Sequence, residues 1–106
     1  MTTDKMILNI KSNVAYITFN NPEKHNAVSL DMWDSLEEML NQCEKDHNVR
    51  VVVLNGAGGK SFVSGADISK FEKERSTKEA VLYYNSRTKK VYERLESFPK
   101  PTIAMI

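Results

Sequence analysis

The sequence predicts an α/β protein in which helices pack against a parallel β-sheet. Segments with the alternation of a strand follow one another along the chain with segments of helical periodicity between them, and this order builds βαβ units with right-handed crossovers. The apolar run Val-Val-Val-Leu at residues 51–54 is typical of a strand that is buried on both faces, as parallel strands are. These two observations carry the fold prediction.

A β-hairpin is predicted near the start of the chain. Residues 6–10 and 14–19 are rich in β-branched and aromatic side chains, which favour strands. The Ser-Asn pair at residues 12–13 suits a tight turn between them. The second strand is expected to end at Asn-Asn-Pro, residues 20–22, because proline has no N–H to donate to a ladder.

Two long helices are predicted between the strands. The first runs from residue 30 to about residue 47, with Ser29 as its N-cap. Its apolar side chains form one stripe at helical spacing: Trp33, Leu36, Leu40 and Cys43. The second helix begins at a capping box formed by Ser76 and Glu79. Its apolar positions alternate by three and four: Val81, Tyr84, Thr88, Val91, Leu95 and Phe98.

Proline ends the second helix and leads into a last strand. Pro99 and Pro101 cannot continue a helix. The five residues that follow, Thr-Ile-Ala-Met-Ile at 102–106, are predicted to begin a buried strand of the parallel sheet.

Length and charge exclude several classes of protein. A chain of 106 residues forms at most one small domain. Its net charge of +1, from 15 Lys+Arg and 14 Asp+Glu, argues against a nucleic-acid partner. No apolar run approaches the ~20 residues that span a bilayer, and the N-terminus lacks the features of an export signal. We therefore expect no membrane partner and a cytoplasmic location.

Cysteine and histidine are too sparse for a disulfide or a metal centre. Cys43 is the single cysteine, and His25 and His47 lie far apart in the sequence, outside the spacing of a metal site. The sequence thus predicts no metal ligands. Because Cys43 lies on the apolar stripe of the first helix, it is interpreted as a core side chain and not as a nucleophile.

The glycine-rich segment at residues 55–61, Asn-Gly-Ala-Gly-Gly-Lys-Ser, raises the hypothesis of phosphate binding. A P-loop requires glycine five positions before Gly59, where this chain has Leu54. A dinucleotide fingerprint requires glycine where this chain has Ser61. A flexible turn after a buried strand is therefore favoured, and a nucleotide-phosphate binder is the disfavoured alternative.

A second candidate lies at residues 62–68, where Gly65 precedes a predicted helix start. Free N–H groups at a helix N-terminus can stabilise a developing negative charge. An oxyanion hole can form in this way without any reactive side chain. An ordinary glycine turn explains the same spacing, so the pattern by itself leaves both interpretations open.

The segment Ser-Gly-Ala-Asp-Ile at residues 64–68, after Lys-Ser-Phe at 60–62, resembles the signature of the crotonase (enoyl-CoA hydratase/isomerase) family. Other segments resemble the family's pattern in the same order: residues 14–22, the Lys-His-Asn-Ala turn at 24–27, the strand at 51–56 and Phe-Pro-Lys-Pro-Thr-Ile-Ala at 98–104. The resemblance covers the whole chain. It implies a crotonase-like α/β fold with ββα-type repeats, of which residues 1–106 are the N-terminal part and the remainder is absent.

The resemblance implies a site for an acyl-coenzyme A thioester. The backbone N–H of Ala66 is the implied oxyanion-hole donor. The implied substrate-binding residues lie in two segments of the chain: Lys24, His25, Ala27, Ser64, Gly65, Ala66, Asp67 and Ile68. No separate cofactor is implied, because coenzyme A is part of the substrate. Lys24 is interpreted as a phosphate contact or a solvated lysine, and for Asp67 a structural role at a helix N-terminus is favoured over a catalytic one.

The activity implied is that of an enoyl-CoA hydratase, which adds water to a 2-enoyl-CoA while an enolate is stabilised. The alternatives are another family activity, such as isomerase, hydrolase or decarboxylase, or a non-catalytic CoA-binding or interaction fragment. In the family, the second oxyanion donor and the acid–base glutamates follow beyond position 106. The isolated chain is therefore predicted to be inactive, and the full-length form is expected to be a homotrimer or hexamer.

Overall fold

The sheet has four strands within the residues that the structure describes. The structure, a computed structural model, describes residues 3–106, with the backbone alone at residues 71 and 72, so residues 1 and 2 of the predicted domain lie outside it. The strands are hydrogen-bonded in chain order: β1 (Met6–Lys11), β2 (Val14–Phe19), β3 (Val51–Gly56) and β4 (Thr102–Ala104). The first pair is antiparallel and the other two pairs are parallel. The α/β prediction is confirmed.

Three α-helices connect the strands over the same described range: α1 (Leu30–Lys45), α2 (Phe71–Glu74) and α3 (Lys78–Glu96). Two single 3-10 turns, Pro22–Lys24 and Ile68–Lys70, precede α1 and α2 respectively. Both parallel connections contain a long helix, as βαβ units require. None of the helices described is long and apolar enough to cross a membrane.

The N-terminal hairpin forms as the sequence predicts. Ser12 and Asn13 both have positive φ, +52° and +70°, which suits the right-handed twist of the flanking strands. The Asn13 amide also donates to the Asn48 carbonyl at 2.7 Å, and the Arg50 N–H donates to the Asn13 carbonyl at 2.8 Å. The turn is thereby fixed to the segment that leads into β3.

The core lies between the sheet and α1. Every second residue of β2 is buried, and the predicted apolar stripe of α1 faces it. The fully buried side chains of this stripe include Leu36, Leu40 and Cys43. Burying a large aliphatic side chain contributes about 1.5–3 kcal/mol. The alternating buried residues of β2 and the helically spaced apolar residues of α1 therefore pack into one shared core.

The two ends of α1 are stabilised by residues far away in the sequence. Ser29 holds the N-cap position, but its hydroxyl donates to the Asp31 carboxylate and does not cap the helix. The Leu30 N–H donates instead to the Glu74 carboxylate at 3.0 Å. At the other end, the helix stops at Lys45, two residues before the predicted end, and the Lys100 ammonium donates to carbonyls there.

Helix α3 begins one residue later than the predicted capping box implies. Thr77 is the N-cap, and its hydroxyl accepts from the Ala80 N–H at 2.9 Å. The predicted pair of Ser76 and Glu79 is therefore out of register. Ser76 and Thr77 are adjacent residues that could each cap the helix, and the spacing of apolar residues does not distinguish between them.

The last strand is exposed, which corrects the prediction of a buried strand at this position. β4 pairs with β3 in parallel register, with Val53 opposite Ile103. All three β4 residues are nevertheless exposed. β4 is the edge strand of the sheet, and no element described in residues 3–106 covers it. Its apolar composition alone could not reveal this.

Candidate functional site

The backbone N–H of Ala66 is a free donor. Ala66 forms an isolated parallel bridge with Val28: the Val28 N–H donates to the Gly65 carbonyl at 2.8 Å, and the Asp67 N–H donates to the Val28 carbonyl at 2.9 Å. In such a bridge both bonds are made by the neighbours of Ala66, so its own N–H points to the other side. Among the described residues, this N–H has no acceptor.

A cavity of about 240 Å³ lies beside this donor. Helices α1 and α3 form its wall together with the segment around Ala66, and its lining is Trp33, Val63, Gly65, Ala66, Tyr84, Thr88 and Tyr92. The rings of Trp33 and Tyr92 meet edge to face, with centroids 5.2 Å apart. A mostly apolar wall with the free N–H of Ala66 at its edge suits an apolar group that ends in a carbonyl.

Gly65 sets the direction of the chain before Ala66. Its φ is +136°, which side-chain-bearing residues rarely adopt. A Cβ atom built at Gly65 would meet nothing within 4 Å. The requirement for glycine is therefore conformational and not one of space.

Asp67 is buried and bound within the protein. Its side chain is 2% exposed, and Oδ1 accepts from the Ser69 N–H at 3.0 Å and from the Ser69 hydroxyl at 2.6 Å. Lys24 Nζ lies 3.6 Å from Oδ2. Burial raises the pKa of the Asp67 carboxyl, but the hydrogen bonds from Ser69 and the charges of Lys24 and Lys5 outweigh it and hold this pKa below its usual range.

These contacts give Asp67 a structural role at the start of the 3-10 turn Ile68–Lys70. Its carboxylate accepts from the second N–H of that turn, as a capping residue does. The sequence predicts a structural role for Asp67 at the N-terminus of a helix. In the structure, the helical segment that begins there is a 3-10 turn of three residues.

The turn at residues 24–27 lies against the segment at 64–69, so the structure brings together the two predicted site segments. The Ser64 N–H donates to the His25 carbonyl at 3.2 Å, and the Ser64 hydroxyl donates to the Lys24 carbonyl at 3.4 Å. His25 and Ile68 are exposed at this junction, whereas Ala27 is buried. The surface there is formed by Lys24, His25 and Ile68, and Ala27 lies beneath it.

Asn26 organises this junction, a role that the sequence analysis missed. Its side chain is fully buried, and Oδ1 accepts from the Asn21 N–H at 2.8 Å. Nδ2 donates to the carbonyls of Ala57 and Ser61 at 3.0 and 2.8 Å. The asparagine of the Lys-His-Asn-Ala turn was the available signal. The sequence analysis assigns Lys24, His25 and Ala27 of this turn to substrate binding, whereas the residue that connects the loops is Asn26.

The glycine-rich loop after β3 folds back tightly on itself. A Cβ at Gly56 would lie 2.3 Å from the Ser61 carbonyl oxygen and 2.4 Å from that of Phe62, so only glycine fits there. This arrangement agrees with the prediction that the loop is a turn.

Cys43, the one cysteine of the chain, lies outside the site. Cys43 is fully buried in the core, and burial raises the pKa of its thiol, which keeps it protonated and unreactive. Within the described residues, no three His, Cys, Asp or Glu side chains are grouped in a way that could hold a metal ion.

Residues 9–106 match the family model described as enoyl-CoA hydratase/isomerase. The chain is 39% identical over 106 residues to a short-chain-enoyl-CoA hydratase from Clostridium acetobutylicum, and it spans 40% of the length of that protein. The structure superimposes with a TM-score of 0.91 on an enoyl-CoA hydratase/isomerase from Xanthobacter autotrophicus Py2, at 30% identity, over 99% of this chain and 39% of that one.

A further solved structure supports the same relationship. The enoyl-CoA hydratase/carnithine racemase from Magnetospirillum magneticum gives a TM-score of 0.88 at 34% identity, over 97% of this chain and 39% of that one. The likeness in sequence and in fold extends over nearly all of the chain. The chain therefore belongs to the enoyl-CoA hydratase/isomerase family, also called the crotonase family, and corresponds to the N-terminal part of its fold.

Proposed function

We propose that this chain supplies one donor of the oxyanion hole and part of the CoA groove of an enoyl-CoA hydratase. The observation that carries the proposal is the free N–H of Ala66 at an apolar cavity. The hydratase reaction is proposed over the isomerase reaction because the Clostridium relative is named for it. The chain spans 40% of that relative, so the activity belongs to the whole protein.

The Ala66 N–H stabilises charge that develops during the reaction. When water adds to the β-carbon of a 2-enoyl thioester, negative charge builds on the thioester oxygen. A fixed N–H aimed at this oxygen binds the transition state more strongly than the ground state. Loss of one such donor costs about 2.7–4 kcal/mol of transition-state stabilisation in comparable sites. The alanine methyl group takes no part in this step.

The surroundings of Ala66 support a proposal for the two ends of the substrate. The cavity of about 240 Å³ suits a short apolar acyl group, with Trp33, Tyr84 and Tyr92 as its wall. The CoA portion follows the exposed surface of the 24–27 turn and the 64–68 segment. Coenzyme A enters as part of the substrate, so the proposal includes no separate cofactor.

The proposal extends to the whole protein. We propose that it acts in the cytoplasm, as the N-terminal sequence suggests, and that its full-length form is a homotrimer or hexamer, as the family resemblance implies. Sedimentation of the full-length protein tests the second statement, and a monomer at micromolar concentration contradicts it.

Trp33 provides a direct test of ligand binding. It is the only tryptophan of the chain and lines the cavity, so bound acyl groups should change its fluorescence. We expect crotonyl-CoA to change the emission in a saturable way and ATP to leave it unchanged. An equal response to ATP, or no response to crotonyl-CoA by a folded chain, contradicts the proposal.

Two variants of Ala66 separate the N–H from the side chain. Ala66→Pro removes the donor but leaves the Gly65 carbonyl and the Asp67 N–H, which form the bridge to Val28. Ala66→Ser keeps the donor. We expect Ala66→Pro to lose the preference for crotonyl-CoA over free CoA and Ala66→Ser to keep it.

The chain alone is expected to show no hydration of crotonyl-CoA. Asp67, the carboxylate next to Ala66, is held by Ser69 and Lys24 and is not available as a general base. Hydration is followed by loss of the absorbance of the conjugated thioester. Turnover by the 106-residue chain well above the uncatalysed rate would show that acid–base groups are present within it.

A further inference from the structure

Three side chains from two segments of the chain meet next to Ala66. The Lys24 ammonium donates to the Ser69 hydroxyl at 2.5 Å, and this hydroxyl donates to Asp67 Oδ1 at 2.6 Å. The other carboxylate oxygen, Oδ2, lies 3.6 Å from Lys24 Nζ. We call Lys24, Asp67 and Ser69 the Asp67 network.

The network adjoins the bridge that orients Ala66. Asp67 uses its N–H to bind the Val28 carbonyl and its carboxylate to bind Ser69 and Lys24. On the other side of Ala66, the Gly65 carbonyl accepts from the Val28 N–H at 2.8 Å. The peptide that carries the Ala66 N–H is therefore held by the bridge on both sides, and on the Asp67 side the bridge is connected to the Asp67 network.

The ion pair is the weak point of the network. Among the described residues, Asp67 Oδ2 is buried without a hydrogen-bond partner, and the Lys24 side chain is 43% exposed. A buried carboxylate that loses its cation retains an uncompensated charge and tends to move toward water. Loss of the Lys24 charge would thus pull on the residue next to Ala66.

We propose that Lys24 is a positioning residue that fixes the direction of the Ala66 N–H through Asp67 and Ser69. In this role Lys24 binds within the protein, and a contact with a CoA phosphate is not needed to explain its position. This proposal rests on the proposed function in one respect, the identity of the group that the Ala66 N–H binds. The geometry of the network stands without it.

Amide hydrogen exchange measured by NMR tests the positioning role without any ligand. In Lys24→Met, we expect the Val28 and Asp67 amides, which form the bridge, to exchange at least about tenfold faster. The Val52 amide, bound to the Pro101 carbonyl in the sheet, should keep its rate. Lys24→Arg retains the charge and should restore slow exchange at both bridge amides.

Lys11→Met is the matched control, because Lys11 is exposed and lies on β1, away from the network. Unchanged exchange at Val28 and Asp67 in Lys24→Met overturns the proposal, and so does equal acceleration in Lys11→Met. If Lys24→Met does not fold, Ser69→Ala breaks the same network more mildly. Faster exchange confined to the two bridge amides is again the expected result, and uniform or unchanged exchange contradicts it.

Binding of crotonyl-CoA separates this proposal from the proposed function. If Lys24→Met weakens binding while exchange at the bridge stays as in the wild type, Lys24 is a direct ligand contact and the positioning role is wrong. If the folded wild-type chain does not bind crotonyl-CoA, the proposed function fails. The exchange data still decide the positioning role in that case.

Discussion

Asn26 shows how one amide side chain can hold two segments of a chain together. Asn26 lies in the left-handed region, with φ +59°. One of its side-chain hydrogen bonds closes the 21–27 turn, and the other two join this turn to the loop after β3. Each partner is a backbone group with a polar atom that must be satisfied when buried. The position of the predicted CoA-facing turn depends on this residue although Asn26 itself is hidden from the surface.

Replacing Asn26 with alanine should destabilise the protein by about 2–4 kcal/mol, because buried backbone groups lose their partners. The free energy of unfolding is measured by urea denaturation followed by circular dichroism. Glycine adopts a left-handed conformation without the strain that alanine would have there. The decrease in the free energy of unfolding that remains in Asn26→Gly is therefore due to the lost hydrogen bonds. Asn85→Ala, at an exposed asparagine of α3, is the surface control. Similar losses in Asn26→Ala and Asn85→Ala contradict the assignment.

Helix α1 depends at both ends on side chains from other elements. Glu74 of α2 accepts from its first N–H, and Lys100, which precedes β4, donates to the carbonyls of Cys43 and Asp46 at its C-terminal end. The acceptor at the start of the helix satisfies an otherwise free N–H, and the positive charge at its end favours the helix dipole. Along its side, Arg87 of α3 pairs with Asp34 and Glu37 of α1.

Lys100→Met should lower the free energy of unfolding by about 1–2 kcal/mol, since hydrogen bonds from a charged donor to two helix carbonyls are lost. The same denaturation measurement applies. Lys11→Met removes an exposed lysine of equal charge and should change stability by less than about 0.5 kcal/mol. A Lys100 variant as stable as this control would show that the two carbonyls are satisfied in another way.

For the molecule as a whole, carboxylates with opposite pKa shifts make stability depend on pH. The pKa of Asp67 is lowered in the folded state, whereas burial, with a contribution from Asp31, raises the pKa of Glu74. The first group favours folding when ionised, and the second favours folding when protonated. Acid therefore acts on stability through the two groups in opposite directions.

Asp67 should contribute stability that is complete above its unfolded pKa of about 3.9. This contribution is lost as the pH falls through the lower folded value. We therefore expect Asp67→Asn to flatten the loss of stability between about pH 5 and pH 3. Urea denaturation across this range measures it. Glu74→Gln serves as the control of opposite sign, and an equally steep acid limb in wild type and Asp67→Asn would contradict the expectation.

The sequence predicted the architecture well because its periodic patterns are long. The alternation of β2 and the apolar stripe of α1 both reflect one buried face, and each is repeated over several residues. The exposure of β4 could not be predicted, since an apolar strand does not indicate whether anything covers it. Likewise the partner of Lys24 could not be predicted, because Asp67 and Ser69 approach it only after the chain folds.

The long-range stabilisation of α1 has a consequence for how the protein matures on the ribosome. Glu74, which accepts a hydrogen bond from the Leu30 N–H, lies 44 residues after Leu30 in the sequence. Lys100, which donates to the Cys43 carbonyl, lies 57 residues after Cys43. While residues 74–100 are still inside the exit tunnel, α1 has emerged with neither end satisfied and with Trp33 not yet packed against Tyr92 of α3. Nascent chains halted in this interval should therefore be the ones most readily bound by chaperones and cut by proteases.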